Sequence, residues 1–339
     1  MKAACIKIVA PYKVVLDEIC LDAASLGDSE VLIRSRYSLT NPGTELAAFT
    51  GLEAEFSADF RYGSVLGRAN VGTIERLGSA VCDLSEGDIV LSFGPHASTF
   101  KIDRAHIMAI VPEDIDPGVA CLARMAAVSL TAVRKADLTA GDPVLVIGQG
   151  LVGNFAAQLF RLVGADVMAA DVVPSRLEVA RQCGIDRTVN PATSDFKEAL
   201  SVWTEGRGPR IVVEAVGKAD LICEAVDLVA PRGEVILLGT PRRKMTLDVS
   251  HMLLRIHAEG ITMKGAYLWD FPAAETPFAR HSVFGNVEQI LGWMRDGRLK
   301  TAPLLTRVLP PRQCQRAYDA LDQDKAGCQS VLFDWAVVA

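Results

Sequence analysis

The first part of the chain, up to about residue 118, alternates hydrophobic and polar positions over short segments. The opening stretch, MKAACIKIVAPYKVVL, follows this period of two, which is typical of strands with one buried face. Turn-forming groups such as LGDSE, NPGTE, GSVLG and SEGD follow one another closely in this region. Short strands at this spacing predict a small β-rich barrel or sandwich.

The pattern changes near Asp116, and from there to about Leu268 strands and helices alternate. Continuous apolar runs such as VLVIG, IVVEAVG and EVILLG predict strands that are buried on both faces. Segments with apolar residues three or four positions apart predict the helices between them. Six strands with helical crossovers predict a doubly wound parallel sheet.

The tail of the chain returns to mixed character. It predicts two helices, near 283–295 and 311–322, and a last strand in CQSVLFDW. A tail of this length is short for a third domain, so we expect residues 269–339 to pack with residues 1–118. The sequence therefore predicts an α/β protein of two domains, the second of which covers 119–268.

Composition narrows the function classes. The net charge of -6 and the absence of a basic run argue against a nucleic-acid partner. The apolar runs are far shorter than the ~20 residues that span a bilayer, and the first residues lack the apolar core of a signal peptide. The eight cysteines include no CxxC pair, which favours reduced thiols in a cytoplasmic protein.

The strongest chemical signal is VLVIGQGLVG, in which Gly148, Gly150 and Gly153 form a GxGxxG motif between a predicted strand and a predicted helix. In such a motif the first glycine makes the tight turn, the second lets the backbone approach a pyrophosphate, and the third permits close helix–strand packing. We expect the N–H groups at the helix start, Leu151 and Val152, to bind the phosphates. A tight turn that binds nothing is the alternative interpretation.

Asp171 ends the next strand, where an acidic residue accepts hydrogen bonds from the ribose hydroxyls of adenosine. A 2′-phosphate would meet this carboxylate, so the sequence favours NAD over NADP. Arg176 could instead hold a 2′-phosphate, lie over the adenine or pair with Asp171. Ser175 and Glu178 fit a capping box at the start of the following helix, and Gly184 fits its C-terminal glycine.

The order of these regions resembles that of one family, the medium-chain dehydrogenase/reductases or zinc alcohol dehydrogenase-like proteins. The matching segments are NPGTELAAFTG, VLGRANVGTIERLGSAV, EGDIVLSFG, LTAGDPVLVIGQGLVG, EAVGKAD, APRGEVILLG and GRLKTAPLLTRVLPPRQCQRAYDAL. The resemblance implies a GroES-like catalytic domain, a Rossmann domain for the cofactor, and an active site in the cleft between domains. It also implies cofactor contacts from two strand ends, at Val216, Gly217, Gly239 and Thr240.

The resemblance also locates the family's zinc ligands, and this chain lacks them. Members that use zinc carry Cys-Gly-Thr-Asp and Gly-His-Glu where this chain has PGTE from Pro42 and GRA around Arg68, and a third ligand falls near Arg124. Neither proline nor a guanidinium ligates Zn²⁺. The segment between Phe93 and Val111 has none of the cysteines of the structural zinc lobe. The sequence therefore resembles a zinc-independent branch.

Several residues are candidates to replace the metal. Arg68 and Arg124 could offset the charge of a developing oxyanion; alternatively, each pairs with a carboxylate such as Glu45 and fills the space. His96, in SFGPHAS, is the candidate general base, and a histidine at the pocket rim is the alternative. Glu45 could orient Arg68 or Thr44, or bind a substrate hydroxyl.

The leading hypothesis is a zinc-independent, NAD-dependent dehydrogenase that oxidises a secondary alcohol on a sugar, cyclitol or similar ring. An NAD(P)H-dependent reductase of quinones or enones is the main alternative, because hydride addition to a conjugated carbon needs no metal-bound alkoxide. A nucleotide-binding protein without catalysis is a third. We expect a small-molecule substrate and no membrane partner. The family resemblance also implies a homodimer or homotetramer joined through an edge strand near 261–267, which would cover an exposed apolar edge.

Overall fold

The computed structural model describes residues 1–57, 60–193 and 195–337. Its strands are β1 (Lys2–Ala10), β2 (Lys13–Cys20), β3 (Glu30–Leu39), β4 (Asn70–Leu77), β5 (Ile89–Ser92), β6 (Thr99–Asp103), β7 (Ile107–Ile110), β8 (Pro143–Ile147), β9 (Asp166–Ala170), β10 (Arg187–Val189), β11 (Ile211–Glu214), β12 (Glu234–Leu237), β13 (Thr262–Gly265), β14 (Arg307–Leu309) and β15 (Val331–Asp334).

The α-helices are α1 (Pro42–Phe49), α2 (Leu52–Phe56), α3 (Pro117–Ala120), α4 (Leu122–Lys135), α5 (Leu151–Leu162), α6 (Pro174–Gln182), α7 (Phe196–Trp203), α8 (Ala219–Leu228), α9 (Ser250–Glu259), α10 (Val283–Arg295) and α11 (Cys314–Gln323). Short 3₁₀ turns occupy Arg104–His106, Leu268–Asp270, Ala302–Leu304, Pro311–Gln313 and Trp335–Val337. Within the described ranges, no helix combines the length and the apolar composition needed to cross a bilayer.

The chain forms two compact units. The β-rich unit comprises Met1–Met125, Phe271–Gly297 and the residues from Leu304 onward. The parallel-sheet unit comprises Ala126–Asp270 and Arg298–Pro303. Helix α4 continues across the first of these boundaries. The domain limits expected from the sequence stay a prediction.

The parallel-sheet unit contains six strands in the order β10-β9-β8-β11-β12-β13, and every neighbouring pair is parallel. The central strands β8 and β11 are buried along nearly their whole length, as expected for a parallel sheet covered on both faces. The doubly wound sheet is therefore confirmed. Its order reverses between β8 and β11, and sheets of this type bind ligands beyond the carboxyl ends of the strands at that point.

The β-rich unit contains the β1-β2 hairpin and a second sheet in the order β14-β15-β3-β4-β5-β7, with β6 also paired to β3. Strand β3 is the longest of these strands and organises the sheet. Its first half pairs with β6, its second half pairs with β15, and β4 runs along its other edge. The pairing with β15 brings the C-terminal segment beside the residues around Ser38.

Both predicted tail helices are present, as α10 and as α11 with the 3₁₀ turn before it. The predicted last strand is β15. The buried side chains of α11 pack in one apolar cluster with Phe49 of α1 and Phe333 of β15. This packing places Tyr318 of α11 beside α1, and the two rings of Phe49 and Tyr318 lie 5.7 Å apart between centroids.

The capping box expected at Ser175 and Glu178 is wrong. Helix α6 begins at Pro174, so Val173 takes the N-cap position, and no side chain caps it. Proline suits the first helical position because its φ is already helical and it has no N–H to satisfy. The C-terminal glycine is confirmed, since Gly184 has φ +87° and its N–H donates to a carbonyl of the last turn at 2.8 Å.

Candidate active site

The three glycines of the parallel-sheet unit's first turn have different surroundings. Gly148 has φ +91°, in the left-handed region that favours glycine, and a Cβ there would lie 2.5 Å from Cγ2 of Val216. A Cβ on Gly153 would lie 1.8 Å from the carbonyl oxygen of Gly148. For Gly150, no heavy atom of the described residues lies within 4 Å of such a Cβ. Two glycines therefore serve the turn itself, and Gly150 leaves space for a ligand.

Helix α5 begins at Leu151, directly after Gly150. The N–H groups of a first helical turn have no acceptor within the helix, and the helix dipole makes this end positive. Leu151 is buried, and the carbonyl of Val152 accepts a hydrogen bond from Oγ of Ser129 at 2.7 Å. The helix start is thus held in place and presents donors suited to a pyrophosphate.

Asp171 follows β9 and is buried. Its Oδ2 accepts the backbone N–H of Gln149 at 2.7 Å, and its Oδ1 accepts that of Val173 at 2.8 Å. Nη1 of Arg176 lies 3.7 Å from Oδ2, so Arg176 pairs with the carboxylate, which is one of its three expected positions. Asp171 joins the glycine turn to the start of α6, and each carboxylate oxygen keeps a lone pair for a ribose hydroxyl.

The two strand ends expected to contact the cofactor lie against each other. Gly217 has φ +81°, and a Cβ there would lie 2.5 Å from the carbonyl oxygen of Thr240. A Cβ on Gly239 would lie 2.2 Å from the N of Gly217. Glu214, which was not predicted for the site, is completely buried and accepts the N–H groups of Val216 and Gly217, both at 2.8 Å. Burial raises the pKa of Glu214, and these backbone hydrogen bonds oppose the rise.

In the β-rich unit, helix α1 carries Thr44 and Glu45 in its first turn. Asn41 precedes the helix, and its Nδ2 donates to Oγ1 of Thr44 at 3.4 Å. Its backbone N–H donates to Oε1 of Glu45 at 3.0 Å. The Glu45 side chain therefore folds back over the helix start, where a carboxylate is favourable, and only 4% of the residue is exposed.

Glu45 belongs to a group of five buried residues that we call the Glu45 cluster: Ser38, Glu45, His96, Tyr318 and Trp335. The Tyr318 hydroxyl donates to Oε2 of Glu45 at 2.6 Å, and Nε2 of His96 lies 3.2 Å from the same oxygen. On the other side of the ring, Nδ1 of His96 lies 2.7 Å from Oγ of Ser38. That oxygen also accepts the indole N–H of Trp335 at 2.8 Å.

The chemistry of the donors assigns a direction to these hydrogen bonds. The indole of Trp335 can only donate, so the Ser38 oxygen accepts from it and its own proton points to Nδ1 of His96. In a neutral imidazole, Nε2 then carries the ring proton and donates to Glu45. Burial, followed by the charge of Glu45, raises the pKa of Tyr318 well above its usual value, so the phenol stays a donor. This arrangement satisfies every member of the Glu45 cluster.

His96 lies deeper than expected. The alternative of a histidine at the pocket rim is wrong, because His96 is completely buried with both ring nitrogens in hydrogen bonds. A role as general base stays a prediction, and it would require the ring to exchange one of those bonds for a bond to the substrate.

Arg68 follows a turn that packs on the backbone of His96. Gly67 has φ +99°, a Cβ there would lie 2.4 Å from the N of His96, and that N–H donates to the carbonyl of Leu66 at 2.6 Å. The Arg68 side chain is exposed and makes no hydrogen bond or ion pair with any described residue. The expected alternative in which Arg68 pairs with Glu45 is wrong, because Arg68 makes no ion pair with Glu45, whose oxygens accept from His96, Tyr318 and the backbone N–H of Asn41.

The residues at the family's zinc positions do not fit a zinc ion. Pro42 has no ligating side-chain atom, and Arg68 is an exposed cation. Arg124 is buried, and its Nη1 lies 3.4 Å from Sδ of Met125. Across 1–57, 60–193 and 195–337, no group of three or more His, Cys, Asp or Glu side chains is placed to hold a metal ion.

Comparisons with known proteins place this chain among dehydrogenases. Residues 152–279 match the family described as "Zinc-binding dehydrogenase". The chain is 28% identical over 229 residues to D-guloside 3-dehydrogenase of Shigella flexneri, covering 61% of this chain and 65% of the relative, slightly less than two thirds of its length. It is 30% identical over 323 residues to L-galactonate-5-dehydrogenase of Escherichia coli K12, covering 86% of this chain and 88% of the relative.

Among solved structures, an oxidoreductase/dehydrogenase of unknown specificity from Escherichia coli is similar with a TM-score of 0.84. The similarity covers 98% of this chain and 99% of that chain at 20% sequence identity. It is a likeness of fold that includes both units, and it confirms the predicted fold class of a GroES-like domain with a Rossmann domain.

Proposed function

Since the chain belongs to the medium-chain dehydrogenase/reductase family, we propose that it oxidises a secondary alcohol by hydride transfer to NAD, without zinc. One observation carries the proposal. The glycine turn leaves space for a pyrophosphate beside Gly150, while the residues at the family's zinc positions have no side chain that ligates zinc. The names of the guloside and galactonate dehydrogenases support a sugar, cyclitol or similar hydroxylated ring as the substrate.

Asp171 supports NAD rather than NADP. The 2′-phosphate of NADP carries almost two negative charges, and it would lie beside the buried carboxylate of Asp171. Arg176 is the cation that would compensate, and it is already paired with Asp171. We assign the pyrophosphate to the N–H groups at Leu151 and Val152, and the nicotinamide half to the Gly239–Thr240 strand end. When bound, the nicotinamide ring accepts the hydride.

The chain's own cations and hydroxyls take the place of a metal in this proposal. We assign to Arg68 and Arg124 the stabilisation of negative charge on the substrate oxygen as the hydride leaves. Thr44 is assigned to a proton relay, in which its oxygen accepts the proton of the substrate hydroxyl while its own proton passes to water, because the residue is half-buried and lies outside the Glu45 cluster. Glu45 and His96 act as positioning residues that hold α1 and the turn before Arg68.

The test is NADH formation from NAD in the presence of a strong chelator, across sugars, cyclitols and simple secondary alcohols. We expect turnover that the chelator does not reduce, and a preference for NAD over NADP. In Asp171→Ser, the ratio of kcat/KM with NAD to that with NADP should fall by about tenfold or more, since the excluding carboxylate is gone. Asp186→Ser removes an exposed carboxylate of the same unit and should leave the ratio unchanged. Turnover that needs added zinc would contradict the proposal.

A reductase of quinones or enones is the second candidate, and the missing zinc donors favour it. Hydride addition to a conjugated carbon forms no alkoxide that a metal must stabilise. If the protein consumes NADH or NADPH with these acceptors and forms no NADH from any of the alcohols, this proposal replaces the first one.

We also propose a homodimer or homotetramer joined through β13. This strand is one of the two edges of the parallel sheet, and an uncovered edge invites pairing with another chain. Leu253 and Leu254 on α9 are 54% and 61% exposed in the single chain, which adds apolar surface to the same unit. A solution mass equal to one chain would overturn this proposal. The cytoplasmic location and the absence of nucleic-acid and membrane partners stay predictions.

A further inference from the structure

We propose that the β-rich unit binds a small phosphate monoester in a pocket beside β3. The pocket, which we call the β3 pocket, has a volume of about 560 Å³, and its lining includes Arg34, Arg36, Thr73, Glu75, Thr99 and Trp335. None of these residues is assigned to the proposed dehydrogenase site, so the proposal is independent of that function. It depends on a gap in the strand pairing, on donors without acceptors and on an excess of positive charge.

The β3 pocket lies where β3 exchanges one neighbouring strand for another. Strand β3 pairs with β6 as far as Arg34 and with β15 from Tyr37 onward. Ser35 and Arg36 lie between the two pairings, and the register of β3 with β4 shifts at the same place. Since β6 begins and β15 ends at this point, an opening is left beside β3. Its volume is in the range of small-molecule sites, roughly 300–1,000 Å³.

Two arginines in the lining have donors without acceptors. Nε of Arg36 donates to Oγ1 of Thr73 at 2.9 Å, and no described residue accepts from its two terminal nitrogens. Nε of Arg34 donates to Glu75, and its terminal nitrogens are likewise left without an acceptor among the described residues. The β3 pocket therefore contains two guanidinium groups whose remaining N–H groups are available to a ligand.

Thr99 adds a third donor, and its burial indicates a ligand. It lies opposite Arg34 in the pairing of β3 with β6, and it is only 6% exposed. Its hydroxyl makes no hydrogen bond with any described residue. Since buried hydroxyl groups are normally hydrogen-bonded, this hydroxyl beside two arginines indicates a polar ligand. Arg316 is also exposed and without a described partner, but it does not line the β3 pocket.

The donors and the charge of the pocket favour a phosphate group. A phosphate monoester offers three acceptor oxygens and almost two negative charges, whereas a carboxylate offers two oxygens and one charge. Arg34, Arg36 and Thr99 supply three donor groups, and guanidinium binds phosphate in a bidentate geometry. Among the charged side chains described in the lining, two arginines accompany one carboxylate, that of Glu75. The β3 pocket therefore keeps a positive charge in a chain whose net charge is -6.

An apolar wall favours a monoester over free phosphate. The indole N–H of Trp335 already donates to Ser38, so the ring offers the β3 pocket an apolar surface. Ala336 adds a methyl group beside it. A free phosphate ion would gain nothing from these groups, whereas the organic part of a monoester would be buried against them.

Calorimetry with propyl phosphate, inorganic phosphate and propanol tests the proposal. The full chain is saturated with NADH, which occupies the proposed pyrophosphate site. We expect propyl phosphate to bind about threefold or more tightly than inorganic phosphate, because its propyl group is partly buried. Propanol should show no binding, since it lacks the charged group. The affinity for propyl phosphate should fall as salt is added.

Three variants assign the binding to the β3 pocket. Arg36→Gln should weaken propyl phosphate by about tenfold or more, since it removes a charged donor. Glu75→Gln should strengthen it by about threefold or more, because it removes a negative charge and releases Nε of Arg34. A misfolded variant would not gain affinity, so this increase separates a direct effect from a structural one. Arg316→Gln is the matched control, an exposed arginine on α11 outside the pocket, and should leave the affinity unchanged.

The possible outcomes also separate this proposal from the proposed function. No binding of propyl phosphate to the NADH-saturated chain would overturn it, and so would equal losses in Arg36→Gln and Arg316→Gln. Inorganic phosphate that binds as tightly as propyl phosphate would overturn the assignment to a monoester. Binding that depends on Arg36, in a protein that oxidises no alcohol, would support this proposal and contradict the proposed function.

Discussion

The two candidate sites hold their buried acidic residues in opposite ways. In the parallel-sheet unit, Glu214 and Asp171 accept backbone N–H groups, some only two residues further along the chain. In the β-rich unit, Glu45 accepts side-chain donors from His96 and Tyr318, 51 and 273 residues away. The first site is therefore fixed by backbone geometry and the second by side-chain chemistry. Substitution of its glycines should therefore disrupt the site in the parallel-sheet unit, and removal of polar side chains should disrupt the Glu45 cluster.

The largest effect is expected from Glu45→Ala. It leaves the Tyr318 hydroxyl and the His96 N–H buried without an acceptor, and each such loss costs about 1–3 kcal/mol, so we expect a loss of about 2–6 kcal/mol in the free energy of unfolding. Chemical denaturation measures it. Glu45→Gln is the matched control, since its amide oxygen keeps one acceptor and should limit the loss to about 1–3 kcal/mol. Equal losses in both variants would contradict the assigned hydrogen bonds.

The second-largest loss of stability is expected from Gly153→Ala, which acts by displacing the backbone. The new Cβ would lie 1.8 Å from the carbonyl of Gly148, so the turn and α5 must separate. We expect a loss of about 3 kcal/mol in the free energy of unfolding, at the upper end for an overpacked site, together with weaker NADH binding. Denaturation and the fluorescence of bound NADH report the two quantities. Unchanged stability would show that the helix and the turn are not in contact.

Tyr318→Phe should cost about 1–3 kcal/mol, because a buried carboxylate oxygen loses its closest donor. The matched control is Tyr12→Phe, because Tyr12 is 56% exposed and its side-chain hydroxyl makes no hydrogen bond with any described residue. If both variants lose the same stability, the bond from Tyr318 to Glu45 is not formed.

The same variant should change the dependence of stability on alkaline pH. Burial and the charge of Glu45 raise the pKa of Tyr318, so the folded protein keeps the phenol proton where the unfolded chain loses it. The resulting stabilisation is complete below the unfolded pKa of about 10 and falls as the pH rises above it. The wild type should therefore lose stability with rising pH more steeply than Tyr318→Phe above about pH 10. Parallel profiles would contradict the raised pKa.

Gly150→Ala should have the smallest effect on stability, within about 0.5 kcal/mol, because no described atom lies near the added methyl group and the backbone there is extended. Its effect should instead fall on binding. The methyl group occupies the space through which a pyrophosphate approaches the turn, and we expect NADH affinity to drop by about tenfold or more. A variant that binds NADH like the wild type would show that the open space is not the phosphate site.

The contrast between local backbone contacts and distant side-chain contacts also explains which parts of the two sites could be predicted from the sequence. The glycine turn and Asp171 lie in one short segment, so their spacing alone indicates their roles. The parallel sheet of six strands follows from the alternation of strands and helices, whereas the order of the strands comes from the structure. The Glu45 cluster was not predicted as a group, because Ser38, Tyr318 and Trp335 are single polar or aromatic residues in otherwise apolar patterns. The one local signal is a polar residue at a buried position, and it does not say which distant segment supplies the partner.

The position of Trp335 has a consequence for the order in which the protein forms as it is synthesised. The β-rich unit starts within Met1–Met125 but needs β15 to complete β3, and the Glu45 cluster needs Tyr318 and Trp335. The parallel-sheet unit is nearly continuous in the chain, so a ribosome delivers it whole before those residues emerge. We expect the parallel-sheet unit to fold first. Until β15 is synthesised, Met1–Met125 stays incompletely folded, with one edge of β3 uncovered. The segment around β15, which is translated after the parallel-sheet unit, therefore decides when the β-rich unit can close, and a nascent chain paused before β15 is the form that a chaperone should bind most strongly.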